Sequence, residues 1–168
     1  MSHILISPPK NGALVIPKVG DDIGLYQKIK LVVDADDRGR GTGIRMMGLP
    51  GGGIEEGETP KETAIRECEE EVGFSPESLT YFGCFTKKRG PGVQNLNHIF
   101  CVHAPSAELE TNDPNEVSQI VTFSLGEILN LGLLGEVHEG TLRILLNYLS
   151  NKRSGSLSEK AYFLEYVF

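Results

Sequence analysis

The chain has 168 residues, 39% of them apolar and 23% charged, and a net charge of −7 from 23 acidic and 16 basic side chains. That length makes one domain with a real core, the composition is far from that of a disordered chain, and no apolar run is long enough to span a bilayer. The acidic balance disfavours a duplex-binding surface, which needs a basic face. Three cysteines without a paired spacing and an N-terminus without a secretory pattern make a reducing cytoplasm the expected compartment.

In chain order, residues 12–19 (GALVIPKV) read as a strand with Pro17 near its end, and 26–33 (YQKIKLVV) as a second, rich in β-branched residues. Residues 34–43 form a loop by their Gly and Asp content, and 44–49 a short strand running into Pro50-Gly51-Gly52-Gly53. The spacing predicts a helix over 60–72. Residues 80–86 and 96–102 read as a strand pair around the loop 87–95, and 119–123 as a further short strand. Two helices are predicted over 125–131 and 140–151, the second with Leu142, Ile144, Leu145 and Leu149 available for a buried face. Residues 151–158 are polar and loop-like. The tail 161–168 (AYFLEYVF) is strongly apolar and reads equally as strand or helix. Strands mixed with a few helices indicate a layered α/β or α+β domain.

The charge is uneven. Residues 51–74 hold eight Glu against Lys61 and Arg66, which puts −6 there and −1 in all the rest. The helix within this stretch has a clear start: Thr59 as N-cap, Pro60 at the first position and Glu62 closing a capping box. Ala64, Ile65, Cys68 and Val72 fall on one face, the core side, and Gly73 is a natural stop. Glu67, Glu70 and Glu71 stand at i, i+3 and i+4 on another face, so three carboxylates are expected to converge. A solvated acidic face is the plain alternative. Against it, like charges at this spacing repel, and they sit at the helix end where the macrodipole disfavours anions. A divalent cation would neutralise them, and an oxygen donor set suits Mg²⁺.

The segment Gly52-x5-Glu58-x7-Arg66-Glu67-Cys68-x-Glu70-Glu71-x-Gly73-Phe74, preceded by Leu49-Pro50-Gly51, resembles the signature of the Nudix hydrolases position by position. On average composition such a match arises by chance at roughly one in a billion per start site. Two departures are small: Cys68 stands where an aliphatic residue is usual, and the aromatic often found before Pro-Gly-Gly is absent. The resemblance implies a Nudix-type α/β/α sandwich with a mixed sheet between helices. It would take in residues 1–168 as a single domain, with 152–168 as a C-terminal extension that packs on the domain or on a second subunit.

The resemblance further implies hydrolysis of a pyrophosphate bond in a nucleoside diphosphate linked to another moiety, with Mg²⁺ or Mn²⁺ as cofactor. Glu67, Glu70 and Glu71 are then the metal-binding carboxylates, with the carbonyl of Gly51 or Gly52 as a further ligand. Glu58 and Arg66 brace the loop against the helix; the alternative for Arg66 is an ordinary i−4 pair with Glu62. The general base is a carboxylate of the box or, as in some members, a Glu from a later loop, here Glu116. Arg38 on the Gly-rich loop, and Lys88 and Arg89 on the basic turn 87–92, are candidates for phosphate contact, beside the plainer reading of solvated loops. Pro91 tilts the substrate towards ADP-ribose or a nucleotide sugar. The alternatives are a (d)NTP or RNA 5′-end pyrophosphohydrolase and, in another class, a nucleotide-sensing domain without catalysis. The partner is a nucleotide-derived small molecule, with no membrane, and a homodimer is left open. Elsewhere, alternation places His98 opposite Cys101 and His103 on its strand, which argues against a zinc site made of those three.

Overall fold

The run GALVIPKV has apolar side chains at both parities, as a strand buried on both faces requires. β1 (Gly12–Val19) accordingly lies inside the sheet: Ala13 and Val15 pack on one face and Ile16 on the other, all fully buried. This is a computed structural model of the chain, and it describes residues 11–28, 47–88, 94–105, 109–112, 117–153 and 162–166.

β2 (Asp22–Lys28) follows β1 through a two-residue turn at Gly20 and Asp21, with Val19 opposite Asp22 and Gly20 at φ +61°. The strand begins earlier than the expected 26–33. The apolar run at 26–33 suggested a late start, but the tight turn lets pairing begin at once, and residues 29–33 lie outside the described residues. Of the strand expected at 44–49, β3 (Met47–Gly48) is described. β4 (Gly51–Gly53), β5 (Thr80–Lys88), β6 (Gln94–His103), β7 (Val117–Phe123) and β8 (Tyr162–Tyr166) complete the described strands. The order is β3-β2-β1-β6-β5-β8, with β4 also on β1 and β7 also on β2. β1–β6 and β5–β8 are parallel and the other pairs antiparallel. The tail 161–168, ambiguous in sequence, thus supplies a strand alongside β5.

α1 (Pro60–Glu67) covers one face of the sheet, over a cluster of Ala13, Val15, Ala64, Cys68, Val72, Phe100 and Val102. On the other face, α2 (Leu125–Leu133) and α3 (Glu139–Arg153) pack Ile128, Ile144, Leu145 and Tyr148 against Ile16, Phe82, Phe85 and Ile99. Of the four residues expected on the buried face of α3, Ile144 and Leu145 are fully buried, while Leu142 and Leu149 pack partly buried against that core. The result is an α/β/α sandwich with a mixed sheet between helices, the architecture expected from the sequence. No helix among the described residues is long and apolar enough to cross a membrane.

Candidate active site

The acidic segment starts as its sequence dictates. Thr59 caps α1, its hydroxyl taking the Glu62 amide while the Glu62 carboxylate returns to the Thr59 amide at 2.8 Å. The helix does not continue uniformly to residue 72. At Cys68–Val72 it widens into a π-helical turn, which Gly73 ends at φ +80°. The burial pattern gives the reason. The buried residues are Thr63 and Ala64, Glu67 and Cys68, Glu71 and Val72, a strict period of four. An α-helix overshoots by about 40° for each step of four residues. The wider π turn falls short for the same step, so the drift is corrected and one stripe stays on the sheet. Ile65, expected in that stripe, is half-buried at its margin.

The loop before the helix is held by backbone contacts to the centre of the sheet. Gly51, Gly52 and Gly53 pair antiparallel with Leu14, Ala13 and Gly12, and the Val15 amide donates to Pro50 O at 2.8 Å. A side chain at Gly51, whose φ is +141°, would collide with the Ala13 carbonyl, and one at Gly52 with the Glu67 carboxylate. The two glycines therefore let loop and helix approach to contact.

Arg66 joins the parts. Its Nε and Nη2 fork onto Glu58 at 2.8 and 3.1 Å, its Nη1 reaches Glu67 Oε1 at 2.8 Å and Glu70 Oε2 at 3.1 Å, and Nη2 also donates to Gly53 O. Glu58 additionally accepts from the Thr63 hydroxyl and the Glu55 amide. The Arg66 and Thr63 hydrogen bonds hold the Glu58 carboxyl down at about 2. The i−4 partner weighed for Arg66, Glu62, is instead committed to the capping box.

Glu67 and Glu71 are 7% and 3% exposed, while the Glu70 side chain is 52% exposed. Glu71 Oε2 accepts the Gly51 amide at 2.7 Å, which ties the carboxylate to the loop. Simple helical spacing led to three carboxylates meeting at one point. Among the described residues, no three His, Cys, Asp or Glu side chains form a ready coordination group. The π turn alters the spacing; Arg66 holds Glu67 and Glu70, and the Gly51 amide holds Glu71. Burial, then the charges of Glu71, Glu67 and Glu69, push the neighbouring Cys68 thiol up to about 12, so it is an inert core residue.

The carbonyls at the end of the π turn take donors that the sequence did not reveal. Asn112 Nδ2 reaches Glu69 O at 2.7 Å, and the Asn112 amide and Thr111 hydroxyl reach Glu70 O. These partners are more than forty residues away in sequence, with no local signal to announce them. Arg38, Arg89 and Glu116 lie outside the described residues, and of Lys88 only the backbone is described, at the end of β5 opposite Gln94.

The donor set around the helix, carboxylates and backbone carbonyls, is all hard oxygen and fits Mg²⁺ or Mn²⁺ better than a soft cation. The close seat of Glu67 on Gly52 fits the same picture, because it brings a carboxylate against the loop backbone.

Comparison with known proteins agrees with this architecture. The ADP-ribose pyrophosphatase of Bacillus subtilis is 30% identical over 108 residues, 63% of this chain and 58% of that protein. The 8-oxo-dGTP diphosphatase of Escherichia coli is 52% identical over 34 residues, 20% of this chain and 26% of that protein. The match thus spans little more than half the length of the Bacillus protein. A NUDIX hydrolase structure from Nitrosomonas europaea superposes with a TM-score of 0.67 at 20% identity, over 86% of this chain and 90% of that one, a likeness of fold. The family model described as NUDIX domain matches residues 15–145, and the chain belongs to the Nudix hydrolase family.

Proposed function

We propose that the protein hydrolyses the pyrophosphate bond of a nucleoside diphosphate linked to a sugar, of the ADP-ribose type, with a divalent cation bound at the acidic helix. The observation that carries the reading is the Arg66 hub, which ties Glu58, Glu67, Glu70 and the Gly53 carbonyl into one braced unit. Similarity to the Bacillus ADP-ribose pyrophosphatase supports the substrate class, because it runs over 108 residues. Similarity to the E. coli 8-oxo-dGTP diphosphatase covers only 34.

In this reading Glu67, Glu70 and Glu71 hold Mg²⁺ or Mn²⁺. The cation supplies charge neutralisation at the phosphate oxygens and a lowered pKa for water. The rest is the work of the chain. Arg66 keeps Glu67 and Glu70 aimed, and the Gly51 amide keeps Glu71 against the loop. Glu70, the exposed member, takes a proton from the attacking water; Glu116 is the alternative base. Arg38, Lys88 and Arg89 are proposed to contact the substrate phosphates.

The test is product analysis with Mg²⁺ on ADP-ribose, nucleotide sugars, each NTP and dNTP and a dinucleoside polyphosphate, with Glu70→Gln as control. AMP and ribose 5-phosphate from ADP-ribose are expected, and at least a hundredfold loss in the variant. Pyrophosphate released from a single dNTP would replace the substrate class. Tight nucleotide binding without turnover would replace the enzyme by a sensor.

A further inference from the structure

The outer surface of the α2–α3 layer is apolar where a helix layer ordinarily carries polar side chains. Of the five large apolar side chains exposed among the described residues, four are leucines of this layer: Leu129, Leu133, Leu134 and Leu146, at 36%, 87%, 72% and 46% exposure. Leu129 and Leu133 stand one turn apart on α2, and Leu142 and Leu146 one turn apart on α3. The two pairs come together at Gly132, where a Cβ would collide with the Leu142 side chain, so the helices run close there. Residues 134–138 join the helices into a hairpin. Its inner face, with Ile128, Ile144 and Leu145, is committed to the sheet. The four exposed leucines are turned to solvent.

We infer that this leucine surface binds a second copy of the chain, hairpin against hairpin across a two-fold axis. The area matches that occupant. The four leucines expose on the order of 400 Å² of apolar surface, in the range of the largest and often functional patches on a monomer. A standard dimer covers about 800 Å² on each copy, and about 65% of a homodimer interface is apolar, or about 500 Å². The patch supplies most of what one copy must bring, and half-buried Leu142 at its centre adds to it. Charge points to the same partner. Two chains at −7 repel, yet residues 125–153 hold three acidic and three basic side chains and are neutral. The charge excess lies outside the hairpin, so two copies meet here without like charges facing each other in excess. A two-fold contact is self-complementary and sets leucine on leucine. With the hairpins aligned, each helix faces an antiparallel one, so their dipoles oppose.

The test is the mass of the purified full chain in solution, by sedimentation equilibrium from about 1 to 100 μM, concentrations at which an interface of this size assembles. The wild type is expected at twice the chain mass. Leu133→Lys and Leu146→Lys, one on each helix, should each raise the dissociation constant about tenfold or more. Lysine brings the net charge nearer to zero, so weaker association cannot come from greater repulsion between whole molecules. Leu133→Gln, which adds no charge, should act in the same direction. All three replace exposed side chains, and circular dichroism checks that each variant is folded. Tyr81→Ser removes the fifth exposed apolar side chain, which packs by Phe100 on the α1 face, and should leave the dimer unchanged. A wild type that stays at the chain mass throughout, whether or not it binds phosphatidylcholine vesicles, would overturn the assignment. So would a dimer that the folded leucine variants leave intact, or an open series of higher masses, which a closed two-fold contact does not produce.

Discussion

Arg66 uses a planar fork that no other side chain reproduces, two parallel bonds to Glu58 and further bonds to Glu67 and Glu70. Arg66→Lys keeps the charge but loses the fork, and kcat/KM is expected to fall about 10- to 100-fold with the fold retained, as measured by steady-state kinetics and circular dichroism. Glu58 gives a pH signature. Its folded pKa of about 2 lies below the ordinary 4.5, so its contribution to stability is present above 4.5 and disappears as pH falls through 2. Denaturation of wild type and Glu58→Gln should therefore differ at pH 7 and converge towards pH 2. A gap that stays constant across this range would mean that the charge plays no part. Gly52→Ala tests the close approach of loop and helix: the new methyl group displaces the Glu67 carboxylate, at a cost of about 1–3 kcal/mol and most of the activity.

At the scale of the element, the acidic helix combines a strong start with a corrected end. The capping box stabilises the first turn, and Thr59→Ala should lower stability by about 1 kcal/mol. The π turn keeps Ala64, Cys68 and Val72 on the sheet while Glu67 and Glu71 follow in the adjacent row. Its last carbonyls depend on residues 111 and 112. Asn112→Ala should cost about 1 kcal/mol in chemical denaturation and also reduce turnover, because the released carbonyls loosen the turn that carries Glu70 and Glu71. Thr59→Ala acts at the opposite end and should leave turnover near wild type. Comparing the two variants separates helix stability from site geometry.

Across the whole molecule, the loop that bears Gly51 and Gly52 is tied to both helical layers. The Leu49 amide donates to the buried Thr141 hydroxyl on α3, and Met47 exchanges backbone bonds with Glu136 and His138 between α2 and α3. Thr141→Val keeps the volume and orphans the Leu49 amide, so unfolding measurements should show a loss of about 1–3 kcal/mol, with a drop in activity. Leu145→Ala, fully buried in the same layer but without a bond to the loop, should cost about 3 kcal/mol and leave kcat/KM of the folded fraction unchanged. Equal activity losses in both would show that the loop senses general loosening rather than this one bond.

What the sequence determined by itself was local. The capping box, the glycines and the 131-residue reach of the NUDIX match all rest on residue identity at fixed spacing. So does strand β1, whose two-faced apolar pattern calls for a place inside a sheet. Tertiary structure decided the rest, because it depends on which distant groups meet. The π turn follows from a period of burial that exists only against the sheet. Thr111 and Asn112 become caps only once residues 109–112 lie at the helix end. Arg66 chose Glu58 over Glu62 because the loop brought Glu58 within reach while the N-cap had already taken Glu62. The exposure of Leu129, Leu133 and Leu146 likewise followed from packing: α2 and α3 placed their other faces on the sheet, a choice that leucines on several faces of both helices leave open in the sequence.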